Sequence, residues 1–326
     1  MTRSNFILMS GSSFPADAKA VLYDATSPKK PIVGKSVEGA PADVWKFTKS
    51  GRTINAVAVD LHGNVYCGDD SESVRKINKF GGQLWKFTEN KGSAFSVAVD
   101  LHGDVYCGYY DGDLYKINGN GEFVWSFAGN TSWVNSVAVD IRGNVYSGSL
   151  DKTVRKISSS GQQVWSFTGN IDGVNSVAVD IRGNVYSGSR DNTVRKINSF
   201  GSQVWSFTGN TNAVNGVAAD LNGNVYSVSR NGYVCKINSN GIQIWCNTDD
   251  PNNQNGVAVD LQGNVYSASN GNSVNKITNS GNRVWRFFGN KATVLSVAVD
   301  LQGNVYSGGL DNTVHKTWDG YIIHTA

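Results

Sequence analysis

Residues 164–197 decide the fold. They read Val164-Trp165-Ser166-Phe167-Thr168-Gly169-Asn170, a short variable stretch, then Val177-Ala178-Val179-Asp180-Ile181-Arg182-Gly183-Asn184-Val185-Tyr186-Ser187-Gly188-Ser189. The unit ends on Arg190-Asp191-Asn192-Thr193-Val194-Arg195-Lys196-Ile197. Four short runs rich in Val, Ile, Tyr, Phe and Trp alternate with Gly, Asn, Asp and Ser clusters, the pattern of strands joined by tight turns. No run is long enough, or periodic enough at 3.6 residues, to predict a helix. We name the strands a (Val-Ala-Val), b (Val-Tyr-Ser), c (Val-Arg-Lys-Ile) and d (around the Trp).

The unit recurs without slippage. Its tryptophan returns at Trp45, Trp85, Trp125, Trp165, Trp205, Trp245 and Trp285, every forty residues. A fixed period of this size marks a repeat architecture. A single four-stranded sheet leaves two faces uncovered, and repeating it around an axis covers each face with a neighbour. The expected fold is therefore all-β, a seven-bladed propeller of four-stranded antiparallel blades with the tryptophans wedged between blades as structural inter-blade residues. An open stack would need distinct polar caps at its ends, and none is evident.

Within each copy the a–b turn hardly changes. Its aspartates, Asp60, Asp100, Asp140, Asp180, Asp220, Asp260 and Asp300, are expected to accept backbone N–H bonds as structural turn residues. One carboxylate per turn is too few oxygens for a ring of calcium sites. Strand c always carries a lysine, from Lys76 to Lys316. A register facing Ile77 with Leu84 sets Lys76 against Trp85, predicting a cation–π contact with the indole, and sets Cys235 opposite Cys246.

The composition bounds function. The chain has 326 residues, 40% hydrophobic and 17% charged, with a net charge of +3. Basic and acidic residues are interspersed, which argues against nucleic acid or an anionic membrane as partner. Nothing approaches the length of a membrane span, and Phe6-Ile7-Leu8-Met9 is shorter than a secretory core segment, so no signal peptide is expected and the cytoplasm or a virion is the predicted location. No His/Cys group has zinc-like spacing; neither metal nor cofactor is expected. No nucleophile with its base and no phosphate-cradling loop is found, so the protein is expected not to be an enzyme.

The stretch from Gly183 to Ser189, then Asp191, Val194-Arg195-Lys196-Ile197 and Gly201 to Trp205-Ser206-Phe207, resembles the PQQ-like propeller repeat. The Val177–Tyr186 half is similar to the NHL repeat and, more distantly, to WD40. The resemblance spans about residues 44 to 326 and implies a β-propeller. The quinoprotein dehydrogenases of that superfamily carry PQQ and calcium on the axis. This chain has no vicinal Cys-Cys pair and no acidic set breaking the repeat on one face, so the non-catalytic scaffold members are the nearer match.

The ends depart from the period. Residues 1–43 form an N-terminal extension, and residues 44–326 the propeller. Residues 1–40 contain a potential strand, Lys19 to Asp24, and are expected to be a docking arm or a loose tail. Strand d has one copy too many, so the last blade is closed either by Val44–Phe47 or by Tyr321–Thr325; Trp45 keeps the motif and favours the former.

Alternating strands put the uniform a–b and c–d turns at one end of the ring and the variable d–a and b–c loops at the other. Variable loops on a constant frame predict a recognition face. Its candidate ligand- or partner-binding residues are Trp133, Tyr109, Tyr110, Arg52 and Arg190. The function expected is a non-catalytic scaffold that binds protein partners in a larger assembly, for example as a phage virion subunit. The alternative is a lectin that uses the same face for glycans.

Overall fold

The computed structural model describes residues 41–48, 50–88 and 92–318. The proposed arm over residues 1–40 and the competing closing strand Tyr321–Thr325 lie outside these. Among the described residues are seven four-stranded antiparallel sheets and no helix. Blade 1 runs through strands a Ile54–Val59, b Val65–Asp69, c Ser73–Ile77 and d Gln83–Thr88. Blades 2 to 6 repeat this order from residues 94, 134, 174, 214 and 254. Blade 7 takes strands a to c from residues 294–318 and its outer strand, Ala42–Phe47, from the other end of the described chain. The Trp45 strand therefore closes the ring, in the sheet order d-c-b-a like every other blade.

Burial falls outward through each blade. Strands a and b are buried along almost their whole length, and strand d is largely exposed. That is why the second half of strand a, Val-Ala-Val in most copies, is continuously apolar: both of its faces are covered by neighbouring blades. The core consists of seams. One joins Ala178, Tyr186, Val194 and Phe207 of blade 4 to Val214, Val217, Val225 and Ile237 of blade 5. The closing seam joins Phe47, Ala298, Tyr306 and Val314 of blade 7 to Ile54, Val57, Val65 and Ile77 of blade 1. Burying each valine, isoleucine or phenylalanine of a seam contributes about 1.5–3 kcal/mol.

Polar bonds stitch the same seams. The backbone N–H of Val57 donates to Ser296 Oγ at 3.0 Å, and those of Val137, Val177 and Val217 donate to the serines of the preceding blade. The indole N–H of Trp165 donates to Ser199 O of blade 4 at 3.0 Å, and Trp45, Trp85, Trp125, Trp205 and Trp245 make the equivalent bond. Each indole is half-buried, lying on the c–d turn of the next blade. At Gly201, with φ +89°, an added Cβ would stand 3.0 Å from the Trp165 ring. A side chain there would be strained and would lift the indole away.

Two sequence expectations are corrected. Lys76 does face Trp85, but a bulge follows and Ile77 pairs with Gln83 rather than Leu84. Lys76 is also paired with Tyr66 of strand b on the same face: its Nζ lies 5.3 Å from the centre of the Tyr66 ring, and the other six copies repeat this at 5.3–5.7 Å. Tyrosine is thus the aromatic partner found in every copy, where the tryptophan was expected. Lys76 and Lys196 also donate to c–d turn carbonyls of the next blade.

Candidate functional site

The two ends of the ring differ in chemistry. At the uniform end each aspartate is consumed by its own turn. Asp180 Oδ1 accepts from the N–H groups of Arg182 and Asn184 at 2.9 Å, while Oδ2 accepts from Asn184 Nδ2 at 2.8 Å and from the Tyr186 hydroxyl at 3.0 Å. Burial, then the charge and hydrogen bond of Asp180, push the Tyr186 phenol well above its usual range. The same constellation holds Tyr66 on Asp60 and Tyr306 on Asp300.

At the other end the b–c turns are tied to the d–a loops. Asp151 accepts from Thr153 and from the N–H of Thr131, and Arg155 bridges Asp151, Thr153 and Asn130. Blade 4 repeats the network with Asp191, Thr193, Arg195 and Asn170. Burial opposes ionisation of these carboxylates. The hydrogen bonds overcome it and hold Asp151 and Asp191 below the usual carboxylate range. Blade 7 substitutes His315, buried between Asp43 of the closing strand at 2.9 Å and Asp311 at 3.1 Å. His315 was not singled out from the sequence, because Asp43 reaches it only through ring closure.

Above this frame lies the mouth of the central channel. The residue after strand b lines it: Asp70, Tyr110, Leu150, Arg190, Arg230, Asn270 and Leu310 in blades 1 to 7. Each bonds through its backbone N–H to the residue just before its own strand a. The structure brings two of the five predicted residues together. The Tyr110 and Trp133 rings lie 4.6 Å apart, and both touch Phe95, at 5.8 and 5.4 Å. With Asn55, Asp70, Leu295 and Leu310 they line a pocket of about 430 Å³.

Tyr109 is a correction. It is 0% exposed and packs edge-on against Tyr115 at 5.3 Å. The last residue of its strand b points into the blade, so only its neighbour Tyr110, 49% exposed, reaches the mouth. Arg52 is exposed in the loop before blade 1 and does not line the pocket. Arg190 sits across the ring and donates to Asn175 Oδ1 at 3.1 Å. Burial and then the charge of Arg230 lower its pKa. Phe95, Arg230 and the Asn55–Asp70 pair, bonded at 2.6 Å, were not singled out from the sequence. Phe95 stands where five copies have asparagine, and that departure was the legible signal.

A profile of the family described as outer membrane protein assembly factor BamB, built on PQQ-type repeats, matches residues 70–189 and again 190–314. The chain belongs to this family. A search of curated proteins returns no match. A BamB-type propeller of PQQ-like repeats is a scaffold of the protein-binding kind. The residues at the mouth do not fit the quinone and calcium that the repeat's name implies. Calcium would need converging carboxylates, and no group of three acidic, histidine or cysteine residues converges among the described residues.

Proposed function

We propose that this BamB-family ring is a non-catalytic component of a larger protein assembly and engages its partner at the mouth formed by the d–a and b–c loops. One observation carries the reading: Phe95, Tyr110 and Trp133, three departures from the repeat, meet at one hollow there. Arg190 and Arg230 occupy the equivalent turns of blades 4 and 5, whereas at the opposite end the a–b turns keep one Asp–Gly frame and the exposed Phe80 and Phe200 stand apart on separate c–d turns. Large aromatics and arginines dominate the binding energy of protein interfaces. The family description, which concerns assembly of outer membrane proteins, supports a role beside other proteins. A non-catalytic role is supported by the use of the Asp, Lys and Arg side chains in seams and turns. The Cys235–Cys246 disulfide supports a compartment where thiols oxidise, in preference to the cytoplasm.

Native mass measurement of the complex purified from its source tests this. Arg190→Glu with Arg230→Glu, or Trp133→Ala, should release the partner, and Arg142→Ala at the uniform end should not. Retention of the partner by both mouth variants would refute the reading. Removing residues 1–40 should leave a folded ring that assembles poorly if that segment is a docking arm. A lectin remains the second reading, motivated by aromatics beside Asn and Asp. The aromatic cluster occurs once, however, which weighs against seven equal sugar sites.

A further inference from the structure

We infer that the pocket between blades 7, 1, 2 and 3 receives a cationic side chain, arginine or lysine, presented by the partner protein. This deepens the binding-ring reading and rests on it.

The first observation is a double departure from the repeat. At the second position of strand a, Asn55, Asn135, Asn175, Asn215 and Asn255 each donate to a carbonyl of the next blade at 2.8–3.4 Å. Phe95 and Leu295 hold the two remaining positions. Neither has an amide to donate, so two seams lack a bond that the other five make. The two positions flank blade 1 and line the same hollow. Local rules that a repeat obeys elsewhere are broken where function asks for it.

The second is shape. The Phe95, Tyr110 and Trp133 rings are mutually tilted by 33–53°. Tyr110 and Trp133 stack on each other at 4.6 Å, so the cluster is an angled wall rather than a flat shelf for a sugar ring, and a cation can meet its outer face.

The third is charge. Asp70 shares the pocket, accepts from Asn55 through Oδ1, and leaves Oδ2 without a protein partner among the described residues. No lysine or arginine lines the pocket among those residues; Arg190 and Arg230 belong to blades 4 and 5, across the axis. Leu295 and Leu310 supply an apolar wall. An arginine or lysine matches all of this, with its stem on the leucines and its head between the rings and Asp70.

The probe is the blocked tripeptide acetyl-Gly-Arg-Gly-amide, titrated into the full chain while the Trp133 indole N–H resonance, assigned through Trp133→Phe, is followed by NMR. A saturable shift is expected, weakened about two- to fivefold by Asp70→Asn, which preserves the shape of the side chain. The citrulline peptide, neutral and nearly isosteric, should bind far more weakly. No saturable shift, equal binding of the citrulline peptide, or a preference for methyl glycosides would overturn the inference. If the peptide fails while Arg190→Glu/Arg230→Glu still releases the partner, the pocket assignment falls and the binding-ring reading stands.

Discussion

The Asp–Tyr clasp at the uniform end should behave as one energetic unit, and Asp180 with Tyr186 is the cleanest copy. Tyr186 is 0% exposed, so its hydroxyl has no route to water. Tyr186→Phe removes one hydrogen bond to a charged acceptor and leaves Asp180 Oδ2 with Asn184; the cost should be about 1.5–2 kcal/mol. Asp180→Ala removes that bond and also strands the buried hydroxyl and two turn N–H groups. We expect about 3–5 kcal/mol, the sum of one orphaned buried donor and the lost turn bonds. In the double variant no hydroxyl is left to strand, so its cost should fall short of the sum by about 1–2 kcal/mol. Urea unfolding monitored by far-UV circular dichroism and by tryptophan fluorescence measures all four proteins, and coincident transitions license the comparison. Additive single effects, or a neutral Tyr186→Phe, would refute the reasoning. The cycle can be repeated at Asp260 and Tyr266, whose bond is 3.1 Å.

Four further outcomes follow from the same geometry. The raised pKa values of Tyr66, Tyr106, Tyr146, Tyr186, Tyr226 and Tyr306 mean that the unfolded chain releases protons which the folded ring keeps. Stability should therefore be intact below about pH 10 and fall steeply above it, and alkaline denaturation monitored by tyrosinate absorbance will show it. At the acid end the sign is reversed. Asp69, Asp151, Asp191 and Asp311 lie below the usual carboxylate range, and Asp250 is near 2, so their stabilisation is present above about pH 4 and lost as pH falls through the lowered values. Thermal melts from neutral to strongly acid pH check this.

Reduction of the Cys235–Cys246 bond, which spans 11 residues of sequence, should cost about 2–3 kcal/mol. Alkylation should label Cys246 of the folded ring only after reductant is added, and the fully buried Cys235 only on unfolding. Cys67 and Cys107 should stay unlabelled while the ring is folded, because burial pushes their thiols to about 12. Deleting residues 1–48 should uncover the outer edge of blade 7 and break the Asp43–His315 contact, giving a less stable, association-prone protein, whereas deleting only 1–40 should preserve the melting transition. Equal melting of the two truncations in calorimetry and light scattering would contradict closure by Ala42–Phe47.

The forty-residue period, the run of strands and the conserved turn chemistry are local properties, and they were legible because each copy states them again. Trp165 and Gly201 encode half a contact each, and the period alone sets them facing across a seam. Ring closure by Trp45 could be favoured on motif grounds. The pairing of Asp43 with Thr317 and the clasp on His315 depend on two segments that only the completed circle brings together. The lysines show the limit from the other side. Their register against tryptophan was readable, yet the b–c pairing sets a tyrosine on the same face beside each lysine, and Nζ lies over that ring. Tyr109 and Tyr110 are neighbours in sequence and fall on opposite sides of the surface, because successive strand residues point to opposite faces. Which aromatics meet at the mouth was decided by curvature. Phe95, Tyr110 and Trp133 come from two blades, and only the packing of blade 3 against blade 2 sets their rings around one hollow.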